Sequence, residues 1–165
     1  MAHKYSGFVP KWVREEFPKD SYRSVFKWGD PKRIKPPNEN LFKLMKQIFH
    51  IDDSYFHEYK EDLGFDKVRY DIPITLEEKH ISVFTEIVGE GFVKTDDYSR
   101  LSVAYGKTMY DILRLRNKIV ENVPDAVIYP DTREQIEKIV RYASENKIPV
   151  YVYGGGSSVT RGVEC

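Results

Sequence analysis

The sequence predicts an α+β chain. Residues 1–121 read as a helical and irregular amino-terminal region, and residues 122–165 as the opening of an α/β domain that is incomplete at the carboxyl end. Three observations lead there. Apolar residues recur at helical spacing in several separate stretches before residue 122 and once after it. A short strand, a capped helix and a second strand then follow one another within roughly 30 residues, the length of a βαβ unit. That second strand runs straight into Gly154-Gly155-Gly156-Ser157-Ser158.

Composition narrows the function classes. At 165 residues the chain is long enough for one domain with a core, burying roughly 70% of its unfolded surface. Lys plus Arg number 26 and Asp plus Glu number 26, a balance that argues against bulk nucleic-acid binding. The twelve Tyr and nine Phe are read first as packing residues. Cys165 is the single cysteine, so a disulfide framework and a multi-cysteine metal site are both excluded, which suits a reducing compartment. No apolar run is long enough to span a bilayer, and Met1-Ala-His-Lys-Tyr5 lacks the apolar core of a signal peptide. A cytoplasmic location is the default expectation.

Residues 1–40 are dense in proline, basic and aromatic residues. Pro10, Pro18, Pro31, Pro36 and Pro37 break any long helix, leaving a short turn over Lys11–Phe17 and an arm anchored by Phe26 and Trp28. From Asn38 to Phe49 a helix is expected, capped by Asn38 or Asn40, with Leu41, Leu44, Met45 and Ile48 on one face. His50, Asp53 and His57 raise a metal reading, but their spacing aligns them only on a continuous helix, so a solvated helix end and loop is preferred. Thr75-Leu-Glu-Glu78 reads as a capping box opening a helix that buries Ile81, Phe84, Ile87 and Val88 and stops at Gly89 and Gly91. Phe92 to Lys107 reads as a polar connector. A helix from Thr108 to about Lys118 follows, with Met109, Ile112 and Leu113 alongside Arg116 on its face. Arg114 and Arg116 could bind phosphate, although exposed helix charges are the plainer reading.

From Asn122 the pattern changes. Val123 to Pro130 is a short apolar strand bracketed by prolines. Thr132-Arg-Glu-Gln135 is a capping box, and Ile136, Ile139, Val140 and Ala143 give its helix a buried stripe that ends by Asn146. Ile148 to Tyr153 is the second strand, expected parallel to the first through a right-handed crossover. The three glycines that follow permit positive φ and close backbone approach, so their N–H groups can converge on an anion such as a diphosphate. The hydroxyls of Ser157, Ser158 and Thr160 add donors. The loop is not a Walker loop, because no Gly-Lys-Ser/Thr follows, and it sits after the second strand rather than in the first turn of the unit.

In order and spacing, Pro124-Asp-Ala-Val-Ile-Tyr-Pro130, the capped helix and Val152-Tyr-Gly-Gly-Gly-Ser-Ser-Val-Thr-Arg-Gly162 resemble the opening of the PCMH-type FAD-binding domain of FAD-linked oxidases, the vanillyl-alcohol-oxidase type. Upstream, Phe26-Lys-Trp-Gly-Asp30, Ser99-Arg-Leu-Ser-Val-Ala-Tyr-Gly106 and Asp111-Ile-Leu-Arg-Leu-Arg116 look like alkyldihydroxyacetonephosphate synthases within that family. The resemblance implies an FAD diphosphate held by Val152, Tyr153, Gly154, Gly155, Gly156, Ser157 and Ser158, with Gly162 closing the loop. Val152 stands where the family often has Pro, and Ser157 where it often has Thr. The loop has no His, so the FAD is expected to be non-covalent.

The resemblance further implies exchange of the acyl group of acyl-dihydroxyacetone phosphate for a fatty alcohol, with flavin carrying the chemistry and no net redox change. That chemistry would use groups downstream of the loop, so no catalytic and no metal-ligating residue is named, and an amino-terminal fragment inactive by itself is expected. Its partners are then FAD and a lipid-like substrate; peripheral contact with a membrane face and a homodimer are compatible with this. Two other readings are an FAD-dependent 2-hydroxy-acid dehydrogenase of the glycolate or D-lactate type, and a non-catalytic interaction module.

Overall fold

The structure is a computed structural model and describes residues 18–25, 38–57 and 64–165. The expected turn at Lys11–Phe17 and the Phe26-Lys-Trp-Gly-Asp30 element lie outside the described residues. In chain order the elements are α1 (Tyr22–Val25), α2 (Glu39–Phe49), α3 (Asp53–His57), α4 (Glu78–Val88), β1 (Val93–Lys94), α5 (Asp97–Ser102), α6 (Met109–Arg116), β2 (Val127–Ile128) and α7 (Arg133–Glu145). The α+β class holds, as helices with a small sheet.

Local chemistry explains most of the helix ends. Asn38 caps α2 by accepting from the Leu41 amide at 2.9 Å, and His50 closes it in the left-handed conformation at φ 52°. The apolar face of α2 is on one side as expected, yet no α2 residue is buried among the described residues. The preferred loop at Asp53 is instead the one-turn helix α3, because Asp52 Oδ1 accepts from the Ser54 and Tyr55 amides and starts it. Asp53 itself takes a hydrogen bond from Lys46 at 2.7 Å.

The expected box at Thr75 does not form. Glu77 occupies the cap position of α4 with no side-chain hydrogen bond. Asp125 Oδ2 competes for the same residues, accepting from the Thr75 hydroxyl at 2.7 Å and the Leu76 amide at 2.8 Å. The stretch 92–107 is more than a connector, since it holds β1 and α5, the latter capped by Asp96 accepting from the Ser99 amide at 3.0 Å. On α6 the buried face is Asp111, Arg114 and Leu115, whereas Met109 and Leu113 face solvent. Thr132 and Gln135 form their reciprocal capping box on α7, and Asn146 ends it.

Two cores organise the described chain. The first joins Tyr22, Val25, Val68, Leu101, Ala104, Tyr105 and Leu115, from α1, α5, α6 and the strip around Val68. The strip is tied to α1 by backbone bonds from Tyr22 N to Asp66 O and from Arg23 N to Gly64 O. The second joins Phe84 and Val88 of α4 to Ile139 and Ala143 of α7. Packing therefore runs across residue 121.

The sheet differs from expectation. β2 pairs antiparallel with β1, Val93 opposite Ile128 and Lys94 opposite Val127. Strand, helix and extended segment do follow in order, but residues 148–153 form no ladder among the described residues. A parallel strand needs cover on both faces and a paired neighbour. Here Val150, Tyr151 and Val152 are exposed, Val152 at 92%. Only Ile148 reaches the second core, with its amide donating to Ala143 O at 2.8 Å.

Candidate functional site: the glycine loop and its clasp

The loop leaves α7 through the extended 148–153 segment and presents an open backbone. A Cβ built on Gly154 or Gly155 would meet nothing within 4 Å. These two glycines are therefore not demanded by contacts among the described residues. They keep the main chain bare on the outside, which is what close approach by a ligand requires. Among the described residues, the amides of Gly154, Gly155, Gly156 and Ser157 donate to no other group of the protein. Gly156 differs. It is buried at φ +59°, and a Cβ there would overlap the phenol of Tyr153, which folds back over it. Burial, with the neighbouring Tyr129, pushes the Tyr153 hydroxyl up from its ordinary pKa, so it stays protonated.

The hydroxyl-rich turn closes on itself. Ser158 Oγ accepts from the Gly162 amide at 3.1 Å and from the Thr160 amide at 3.4 Å. Its own O–H remains a donor. Of the sequence-predicted residues, the structure brings Tyr153 onto Gly156 and Ser158 onto Gly162. It places Gly154, Gly155 and Ser157 open on the outside and leaves Val152 apart as an exposed apolar side chain. An unpaired, Cβ-free backbone beside a free hydroxyl donor fits a diphosphate group.

Sequence reasoning missed what holds this turn in place. The Lys107 amide donates to Ser158 O at 2.7 Å. Gly106 lies against the same carbonyl, where a Cβ would come to 2.5 Å of Ser158 O. Arg114, whose side chain is 2% exposed, donates to both oxygens of Glu164, Nη2 at 2.7 Å and Nη1 at 3.2 Å. Arg161 also binds Glu164, Nη2 at 2.5 Å, and Asn122 donates to it at 3.2 Å. The Arg114 guanidinium lies 4.0 Å from the Tyr105 ring centre, and Arg161 lies 5.1 Å from that of Tyr110.

Arg114 is thus neither an exposed helix charge nor a free phosphate ligand. Burial alone lowers its pKa, but hydrogen bonding to Glu164 and the charges around it outweigh that and raise it. Glu164 is pulled down to about 2, first by Arg114, against burial, with help from Arg161 and Asn122. Arg116 is exposed at the end of α6. The signals that could have found this clasp were Gly106 before a Thr108–Asp111 capping box, whose hydrogen bonds run both ways.

A second arginine grips the start of the same segment. Arg100 of α5, 2% exposed, donates through Nε to Pro124 O at 2.7 Å and through Nη1 to Ile72 O at 3.1 Å. Its Nη2 lies 3.9 Å from Asp125.

With this geometry in hand, residues 124–165 match the FAD binding domain family. The two arginine contacts fall at either end of that match. That stretch, about a quarter of the chain, is what resembles FAD-linked oxidases.

Over more of its length the chain is similar to alkyldihydroxyacetonephosphate synthases. It is 30% identical over 132 residues to alkyldihydroxyacetonephosphate synthase of Trypanosoma brucei brucei, covering 78% of this chain and 21% of that one. The chain thus spans about a fifth of that relative's length. It is 33% identical over 104 residues to Protein Rv2250A of Mycobacterium tuberculosis, covering 62% of this chain and 66% of the other, so these two chains are of similar length. A solved structure of alkyldihydroxyacetonephosphate synthase shares the fold at TM-score 0.62 and 21% identity, over 76% of this chain and 24% of that one.

Proposed function

We propose that this chain supplies the diphosphate-binding loop of a non-covalent FAD site in an ether-lipid enzyme of the alkylglycerone-phosphate synthase type. The observation that carries the reading is the bare backbone of Gly154 and Gly155, which no contact among the described residues explains. Bound FAD would supply the chemistry that exchanges an acyl group for a fatty alcohol. The chain's own contribution is to bind and orient. Unpaired amides from Gly154 to Ser157 face the diphosphate, and the Ser158 hydroxyl donates to it while its oxygen stays tied to Gly162. Tyr153 shields Gly156 from water. The synthase reading is favoured over a hydroxy-acid dehydrogenase because most of the 132 residues aligned with the synthase lie ahead of residue 122. A lipid-like substrate, a homodimer and a cytoplasmic site at a membrane face go with an enzyme of that type in this reading.

Three measurements test it. In nitrogen-resolved NMR of the chain, millimolar ADP should shift the amides of residues 154–158, while FAD is not retained through gel filtration, because one loop offers few contacts. Unmoved loop amides in the presence of saturating ADP would remove the diphosphate from this site. In the full-length parent, Gly155→Val should abolish flavin loading by placing a branched side chain where the diphosphate approaches. Normal flavin content in that variant would do the same.

A further inference from the structure

We infer that Arg114 is a positioning residue for the glycine loop, acting through Glu164 to hold the Ser158–Glu164 turn against α6 and so fix the open backbone of Gly154–Ser157. The inference rests on the reading of that loop as the diphosphate site. Its geometry is independent of it. Three glycines in a row lose more conformational freedom on ordering than any other tripeptide would, so a loop of this composition stays ordered only if its ends are held. The loop is entered from Val150–Val152, which is exposed and joins no ladder among the described residues, and so can hold little. The restraint must come from the other side. There the Arg114 fork binds both oxygens of Glu164, Arg161 binds the same carboxylate, and the Lys107 amide binds Ser158 O.

The clasp is built in depth. Arg114 and Asp111 have side-chain exposures of 2% and 1%, and their atoms lie 3.4 Å apart. Asp111 is in turn fixed by the capping box with Thr108, immediately after the Gly106–Lys107 contact. An anchor that is itself immobile can immobilise what it grips. A ligand meeting a loop already ordered pays less of the ordering cost on binding.

The test measures motion of the loop in the 165-residue chain itself. Backbone nitrogen relaxation in the unsubstituted chain should give residues 154–158 order parameters near the rigid value of roughly 0.85. In Glu164→Gln they should fall below roughly 0.6, and the Lys107 amide should exchange about tenfold faster, by loss of roughly one charge-assisted hydrogen bond. The order parameters of α4 and α7 should not change. Arg114→Met should repeat the result. Because that change strips a buried ion pair, Glu164→Gln decides the matter if Arg114→Met does not fold.

Unchanged loop order in a folded Glu164→Gln protein would overturn the inference. Equal loosening of the loop and of the α4–α7 core would overturn it too, as that is general destabilisation and not positioning. ADP shifts in the unsubstituted chain are read separately. Their absence would sink the diphosphate reading, while the order parameters still decide whether Arg114 positions the loop.

Discussion

The Glu164 carboxylate collects hydrogen bonds from Arg114, Arg161 and Asn122, and its side chain is 12% exposed. Its pKa is drawn down to about 2 from the ordinary 4.5. A group depressed on folding contributes stability above its unfolded pKa and loses it as pH falls through the folded one. Glu164 therefore stabilises the fold fully above about pH 5 and progressively less toward about pH 2. Glu164→Gln should cost about 1–3 kcal/mol at pH 7 and almost nothing near pH 2, as urea unfolding at several pH values would show. A pH-independent difference would mean that Glu164 acts by shape and not by charge. The sequence made Gly154 and Gly155 conspicuous because three adjacent glycines have few other uses. It hid Glu164, since an acid near the end of a polar stretch looks solvated until its partner, 50 positions away, is seen.

At the scale of elements, α4 and α7 illustrate what periodicity does and does not specify. Phe84 meets Tyr142 edge-on at 5.5 Å, and Tyr142 shares a 2.9 Å hydrogen bond with His80 Nδ1. Of the four-residue apolar stripe on α7, Ile139 and Ala143 are buried, while Ile136 and Val140 are 49% and 53% exposed. The stripe was legible, but its neighbour α4 covers only one side of it. Ile139→Ala should therefore cost about 2–5 kcal/mol, and Val140→Ala no more than about 0.5 kcal/mol. Similar losses for both in denaturant unfolding would place cover over Val140 that the described residues do not show. Caps followed the same logic. Thr132 formed its box with no competitor for it among the described residues, whereas Thr75 gave up its hydroxyl to Asp125, a residue 50 positions away that no local pattern reveals.

For the molecule as a whole, the change of sequence pattern at residue 121 is not a change of packing. One core spans it through α4 and α7, and Arg100 and Arg114 reach across it to Pro124 and Glu164. The α+β class and the place of the glycine loop were legible because they depend on local signals. The antiparallel β1–β2 pair was not, because Val93 and Lys94 carry no strand pattern of their own and acquire it only beside Val127 and Ile128. The clasp has a consequence in time. Closing a 50-residue separation precedes any reward from the contact, so the bond between Arg114 and Glu164 belongs to the late events of folding. A late contact governs how fast the native state is left and hardly alters how fast it is reached. In stopped-flow experiments Glu164→Gln should raise the unfolding rate about fivefold or more and leave refolding within about twofold; slowed refolding instead would put the clasp in the nucleus. The lifetime of the ordered loop is then set by one carboxylate letting go.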